Sequence, residues 1–198
     1  MTVHSVQEID ATIRRLTGED PECRPFLCDG SPVGSEVFLV GINPGTDTPF
    51  WPHWQVPKGC DKKEWLEDYK RRHLRLKPTR KRIEILMEAI SPIKCLETNV
   101  FAKCSPDEQS LSEDGRDTAV FDYLLVNIHP KVIFIHGRSG IRHAEQLLKA
   151  NLPKEQFTPV LYEGHKMEVI VASHLSRGWS YARVRELGER IKEKCAGR

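Results

Sequence analysis

No apolar run in this 198-residue chain approaches the roughly 20 residues that cross a bilayer. The opening MTVHSVQEIDATIRRL lacks the basic, apolar and small segments of a secretory signal. Cysteine is sparse, and Cys23, Cys28, Cys60, Cys95, Cys104 and Cys195 are too scattered for a disulfide scaffold. These absences predict reduced thiols in a cytoplasmic protein that does not partner a membrane. Repeats, low-complexity tracts and a dividing linker are also missing. With 39% hydrophobic and 29% charged residues, disordered and fibrous readings are excluded. The length suits one well-buried domain spanning residues 1–198.

Net charge is only +2, but its distribution is uneven. KRRHLRLKPTRKR, from Lys70 to Arg82, holds eight Lys or Arg and no acid, so +2 less +8 leaves the remainder at −6. Such a local excess is the footprint of a phosphate-backbone binder, and equally that of a solvated helix face and turn.

Four segments have the length and β-branched content of buried strands: 36–41, 97–101, 131–136 and 168–173, the last led in by Met167. None alternates cleanly between apolar and polar, as expected of strands covered on both faces. Helical spacing marks 6–16, 61–74, 79–90, 117–128, 139–150 and 180–195, with Pro78 separating the second from the third. Residues 103–117 read as a loop. This alternation predicts an α/β protein, a three-layer α/β/α sandwich around a central four-stranded, mainly parallel sheet. Ligands of such sheets bind beyond the carboxyl ends of the strands.

The first strand runs into Gly41-Ile42-Asn43-Pro44-Gly45-Thr46-Asp47, a rigid turn that holds Asn43 at the sheet edge. The second brings Asn99 toward the same edge, where its amide offers donors and an acceptor suited to a nucleobase, or to tying down a loop. After the last strand come His174-Leu175-Ser176-Arg177-Gly178-Trp179, small and flexible residues followed by an aromatic, the composition of a protruding loop with a wedge. The third strand opens into Gly137-Arg138-Ser139-Gly140, whose amides could hold a phosphate.

In this order, GINPG at 41–45, ETNVFAKCSP at 97–106, HPKVIFIHG at 129–137 and HLSRGW at 174–179 resemble motifs of the uracil-DNA glycosylase superfamily. GINPG is similar to the first catalytic motif of its mismatch-specific uracil/thymine branch, and the next two segments to its iron–sulfur branch. The resemblance implies that Asn43 positions the attacking water, beside Ile42 in the base pocket, and that Asn99 reads the flipped base. It implies that His174 stabilises charge on the base carbonyl and that Ser176 grips a phosphate. Phe50, Trp51 and Trp54 compete for stacking on the base, and Asp47 is an alternative to Asn43 for activating water. Arg71, Arg72, Arg80, Lys81 and Ser139 would hold DNA, with Arg177 or Trp179 as the wedge.

The sequence departs from the family pattern where Leu175 replaces the usual proline and where the fourth cysteine of the iron–sulfur branch is missing. Cys23, Cys28 and Cys104 alone are one short of a normal cluster, so neither cofactor nor metal is expected. The implied activity is a monofunctional DNA glycosylase, a monomer acting on DNA, that hydrolyses the N-glycosidic bond of a uracil-like or modified pyrimidine. A modified cytosine of viral DNA is the second target and would give a defence role. A non-catalytic nucleic-acid-binding module is the alternative, and a hydrolase of free nucleotides a third reading.

Overall fold

The computed structural model describes residues 5–45 and 48–197. Helix α1 (Val6–Thr17) opens on a capping box in which Ser5 and Glu8 satisfy each other's backbone N–H groups. Two very short strands follow, β1 (Phe26–Leu27) and β2 (Asp29–Gly30), and then β3 (Val37–Gly41). After β4 (Trp54–Gln55) and β5 (Gly59–Asp61) come α2 (Lys62–His73) and α3 (Pro78–Ile90), where Pro78 occupies the first turn. The chain continues through β6 (Cys95–Asn99), α4 (Ala119–Ile128), β7 (Val132–His136) and α5 (Arg138–Leu148). It ends with β8 (Phe157–Tyr162), β9 (His165–Ala172) and α6 (Tyr181–Ala196).

The main sheet has the order β1-β6-β3-β7-β9-β8. Its middle four strands, β6, β3, β7 and β9, are mutually parallel and match the four predicted segments. Alternate residues of each strand feed two separate cores. Phe38, Val40, Ile133, Ile135, Val169 and Val171 join α1, α4 and α5 on one face. Val37, Leu39, Val132, Phe134 and Ile170 join α3 and α6 on the other. Burial on both faces explains the unbroken apolar runs.

The expectation of four strands is corrected to six, because β1 and β8 add antiparallel edges. β1 is too short to register as a pattern. β8 contains Pro159 and is mostly half-exposed, which reads as loop in sequence but is tolerated where one side of a strand has no neighbour. A separate antiparallel sheet, β2-β5-β4, packs beside α2.

Candidate active site

The four parallel strands end together, with Gly41 paired to Asn99 and His136 to Ala172 on their last rungs. Beyond these rungs a cavity of about 420 Å³ opens between the sheet and α3. Asn43, Asn99 and His174 all line it, together with Ile42 and His136. Three residues more than 50 positions apart in sequence thus meet at one hole because parallel strands present all their carboxyl ends to the same side.

Asn43 is oriented by the loop that follows β6. Phe101 N–H donates to Ile42 O at 2.9 Å and Ser105 N–H to Pro44 O at 2.9 Å, so the two loops run bonded side by side. Asn43 Nδ2 donates to Ser105 O at 2.9 Å and to Pro44 O at 3.3 Å. With the amide hydrogens so committed, Oδ1 is the group that can accept from a water.

Asn99 is buried, and its Nδ2 has no hydrogen-bond partner. An orphaned buried donor costs about 1–3 kcal/mol, which is recovered when a ligand supplies the acceptor. Gly41 makes room for this amide: a Cβ there would lie 2.6 Å from Asn99 Oδ1 and 3.6 Å from His136 Nε2. His136 is buried, its Nδ1 is also without a partner, and burial, with His174 adding to it, pushes its pKa down to about 3. It is therefore a neutral imidazole on the cavity wall, with its ring 4.9 Å from that of His174 in an edge-to-face arrangement.

His174 stands at the rim. Its Nδ1 accepts from Ser176 N–H at 3.2 Å and lies 2.7 Å from Ser176 Oγ. A nitrogen that accepts carries no proton, so the neutral ring is protonated on Nε2. Partial burial, and secondarily the Arg177 charge, hold its pKa below the usual histidine value. Beneath it, Gly137 has φ +97°, and a Cβ there would come within 3.3 Å of the His174 ring.

The inner wall carries an ion cluster. Arg80 grips Glu97 through two bonds of 2.5 Å, and Arg24 lies 3.5 Å from the same carboxylate. These cations overcome burial and hold the Glu97 pKa down at about 2. Glu97 and Asn99 lie two positions apart on β6 and so share a face. The cluster thereby fixes the strand that presents the Asn99 amide.

Compared with known proteins, the chain matches no protein-family model and no curated protein.

Several sequence expectations are corrected. Phe50 is 0% and Trp54 4% exposed; they stack on each other at 5.8 Å in the core and cannot meet a base. Trp51 lies under the Arg14 guanidinium and donates to Asp20 O, away from the cavity lining. Trp179, at 3% exposed, is no wedge: its indole N–H donates back to Ser173. Arg80 is 5% exposed and committed to Glu97, so it is a wall of the cavity and not a contact to DNA. Asp47 lies outside the described residues.

The other candidates are at the surface. Arg71 and Arg72 are exposed and paired with Asp68. Lys81 lies over the Tyr181 ring. Ser139 is half-buried in the first turn of α5, while Ser176 and Arg177 are exposed beside His174. All six cysteines are free thiols, and among the described residues no group of three or more His, Cys, Asp or Glu is placed to hold a metal ion.

Residues that sequence reasoning missed complete the site. Besides His136, Glu97 and Arg24, they include Lys77 on the cavity lining. A groove on the far side of His174 is lined by Arg138, Arg142 and Lys154. The pair Glu97 and Asn99, two polar residues on one face of a fully buried strand, was the available signal.

Proposed function

We propose that this protein is a DNA glycosylase, similar in chemistry to uracil-DNA glycosylases, that hydrolyses the N-glycosidic bond of a pyrimidine flipped out of DNA. The observation that carries the reading is the meeting of Asn43, Asn99 and His174 around one cavity, with the Asn99 amide nitrogen buried and unpartnered. Cleavage makes the sugar cationic and the departing base anionic, so catalysis is chiefly electrostatic complementarity plus a held water. Asn43 Oδ1 accepts from that water and orients it toward C1′. His174 Nε2–H donates to the carbonyl oxygen on which negative charge develops. Asn99 supplies the donor that the base edge requires. Overall, the hydroxyl of water ends on C1′ and its proton on the base.

The cavity volume lies within the roughly 300–1,000 Å³ typical of drug-sized ligands, more than a bare pyrimidine fills. A flipped nucleotide brings its sugar as well, so the space admits uracil or a substituted pyrimidine such as a modified cytosine. The reaction is monofunctional, leaving an abasic site without strand cleavage.

The test is incubation with oligonucleotides carrying uracil and a range of substituted pyrimidines, followed by mass spectrometry of the released base. Release by wild type and its loss in Asn43→Ala, with DNA binding retained, is expected. Salt-sensitive binding without release from any substrate would move the protein to the class of non-catalytic binding modules. A borohydride-trapped adduct that disappears in Lys77→Ala would overturn the monofunctional assignment.

A further inference from the structure

We infer that Leu74, at the end of α2, is the side chain that enters the base stack when a nucleotide is drawn into the cavity. The inference rests on the proposed function and replaces the wedge expected at Trp179, which is buried.

Leu74 is 92% exposed, more than any other large apolar residue described. It also holds a left-handed backbone, φ 60° and ψ −21°, at a helix C-cap where glycine or asparagine is the usual occupant. A branched apolar residue there neither relieves the backbone nor buries any surface. Folding therefore gives no reason for a leucine at this position.

Its surroundings supply one. Leu74 is flanked in sequence by Arg71, Arg72, Arg75 and Lys77, all exposed, a composition suited to a duplex backbone and unsuited to an apolar protein partner. The preceding residue, His73, sits 3.4 Å from the Thr48 hydroxyl and packs on Tyr69, a cavity residue. Three positions later, Lys77 is itself on the cavity lining. The exposed leucine is thus flanked in sequence by a residue packed on the cavity lining, His73, and by one that belongs to it, Lys77. Apolar side chains inserted between base steps from a basic surface are a general means of unstacking DNA. Leu161, the next most exposed, lies on the outer strand β8 with no comparable cluster.

The experiment uses the full chain and a duplex with 2-aminopurine beside a tetrahydrofuran abasic analogue, so that no excision is needed for a signal. Wild type is expected to raise 2-aminopurine fluorescence several-fold at saturation. Leu74→Ala and Leu74→Gly are expected to abolish the rise and to cut base release from duplex at least tenfold, sparing release from single strands. Glycine suits the left-handed backbone, so the second variant controls for folding. An undiminished rise in both variants would overturn the assignment, as would base release by wild type with no rise on duplex. A Leu74-dependent rise without base release from any substrate would uphold the wedge and sink the glycosylase reading.

Discussion

A methyl group at position 41 would stand 2.6 Å from Asn99 Oδ1, closer than real contacts allow, with rigid strand backbone on its own side. The Asn99 amide, not the sheet, must then give way. Gly41→Ala is expected to cost about 1–3 kcal/mol of stability as an overpacking change. Displacing the reading amide is expected to slow base release roughly 10- to 100-fold, at about 1.4 kcal/mol per factor of ten. Circular dichroism and single-turnover base release measure the two effects. A folded variant that retained wild-type release would show that Asn99 does not contact the base. Asn43, Asn99 and His174 were legible in the sequence because each follows or ends a recognisable buried strand. His136 was not, since it reads as the last residue of an apolar run. The aromatics misled for a related reason: Phe50 and Trp54 are near the motif in sequence, but the chain turns back into the core, where both rings pack on Phe26.

Among the elements, α3 braces the candidate site from two sides. Ile83, Leu86 and Ile90 bury one stripe against the sheet, and Gly188 of α6 approaches so closely that a Cβ there would lie 2.5 Å from Ala89 Cβ. From the same helix Arg80 clamps the Asn99 strand through Glu97, and Arg82 donates to Trp179 O at 2.9 Å, bracing the His174 loop. Glu97→Gln removes the carboxylate that two buried guanidiniums share, leaving Arg80 to pair with Glu84 at 3.0 Å, and is expected to lose about 3–5 kcal/mol in urea unfolding. The pH dependence has a definite sign. Burial opposes the Glu97 charge, but Arg80 and Arg24 more than compensate, lowering its pKa from 4.5 to about 2 in the fold. Its stabilisation is therefore complete above about 4.5 and is lost as pH falls toward about 2. The gap between wild type and Glu97→Gln should narrow over that interval; a gap unchanged by acid would show that charge is not what the pair contributes. The spacing of Arg80 with Ile83, Met87 and Ile90 placed this arginine on the apolar stripe, a sign masked by the basic run around it. β8 was hidden by the opposite circumstance, an edge strand with a proline and one wet side.

For the whole molecule, the basic run divides between two tasks. Arg80 and Arg82 turn inward, while Arg71, Arg72, Arg75 and Lys81 stay exposed. The Asp68 pairs of Arg71 and Arg72 leave both available for the proposed contact to DNA, because exposed ion pairs are weak and a phosphate can displace the carboxylate. With the remainder of the chain at −6, the exposed part of this run is where a DNA partner, as proposed, would be drawn. Each neutralised phosphate adds about 0.9 to the slope of log affinity against log salt. Arg72→Gln and Arg75→Gln are each expected to lower that slope by about one such step without affecting thermal unfolding. Arg80→Gln is expected to do the reverse, lowering the unfolding temperature while leaving the slope in place. Fluorescence anisotropy of a labelled duplex across a salt series, read beside melting curves, separates the two. If Arg80→Gln reduced the slope as much as Arg75→Gln, the buried clamp would be exchanging Glu97 for phosphate, and the division of the run into inner and outer charges would fail.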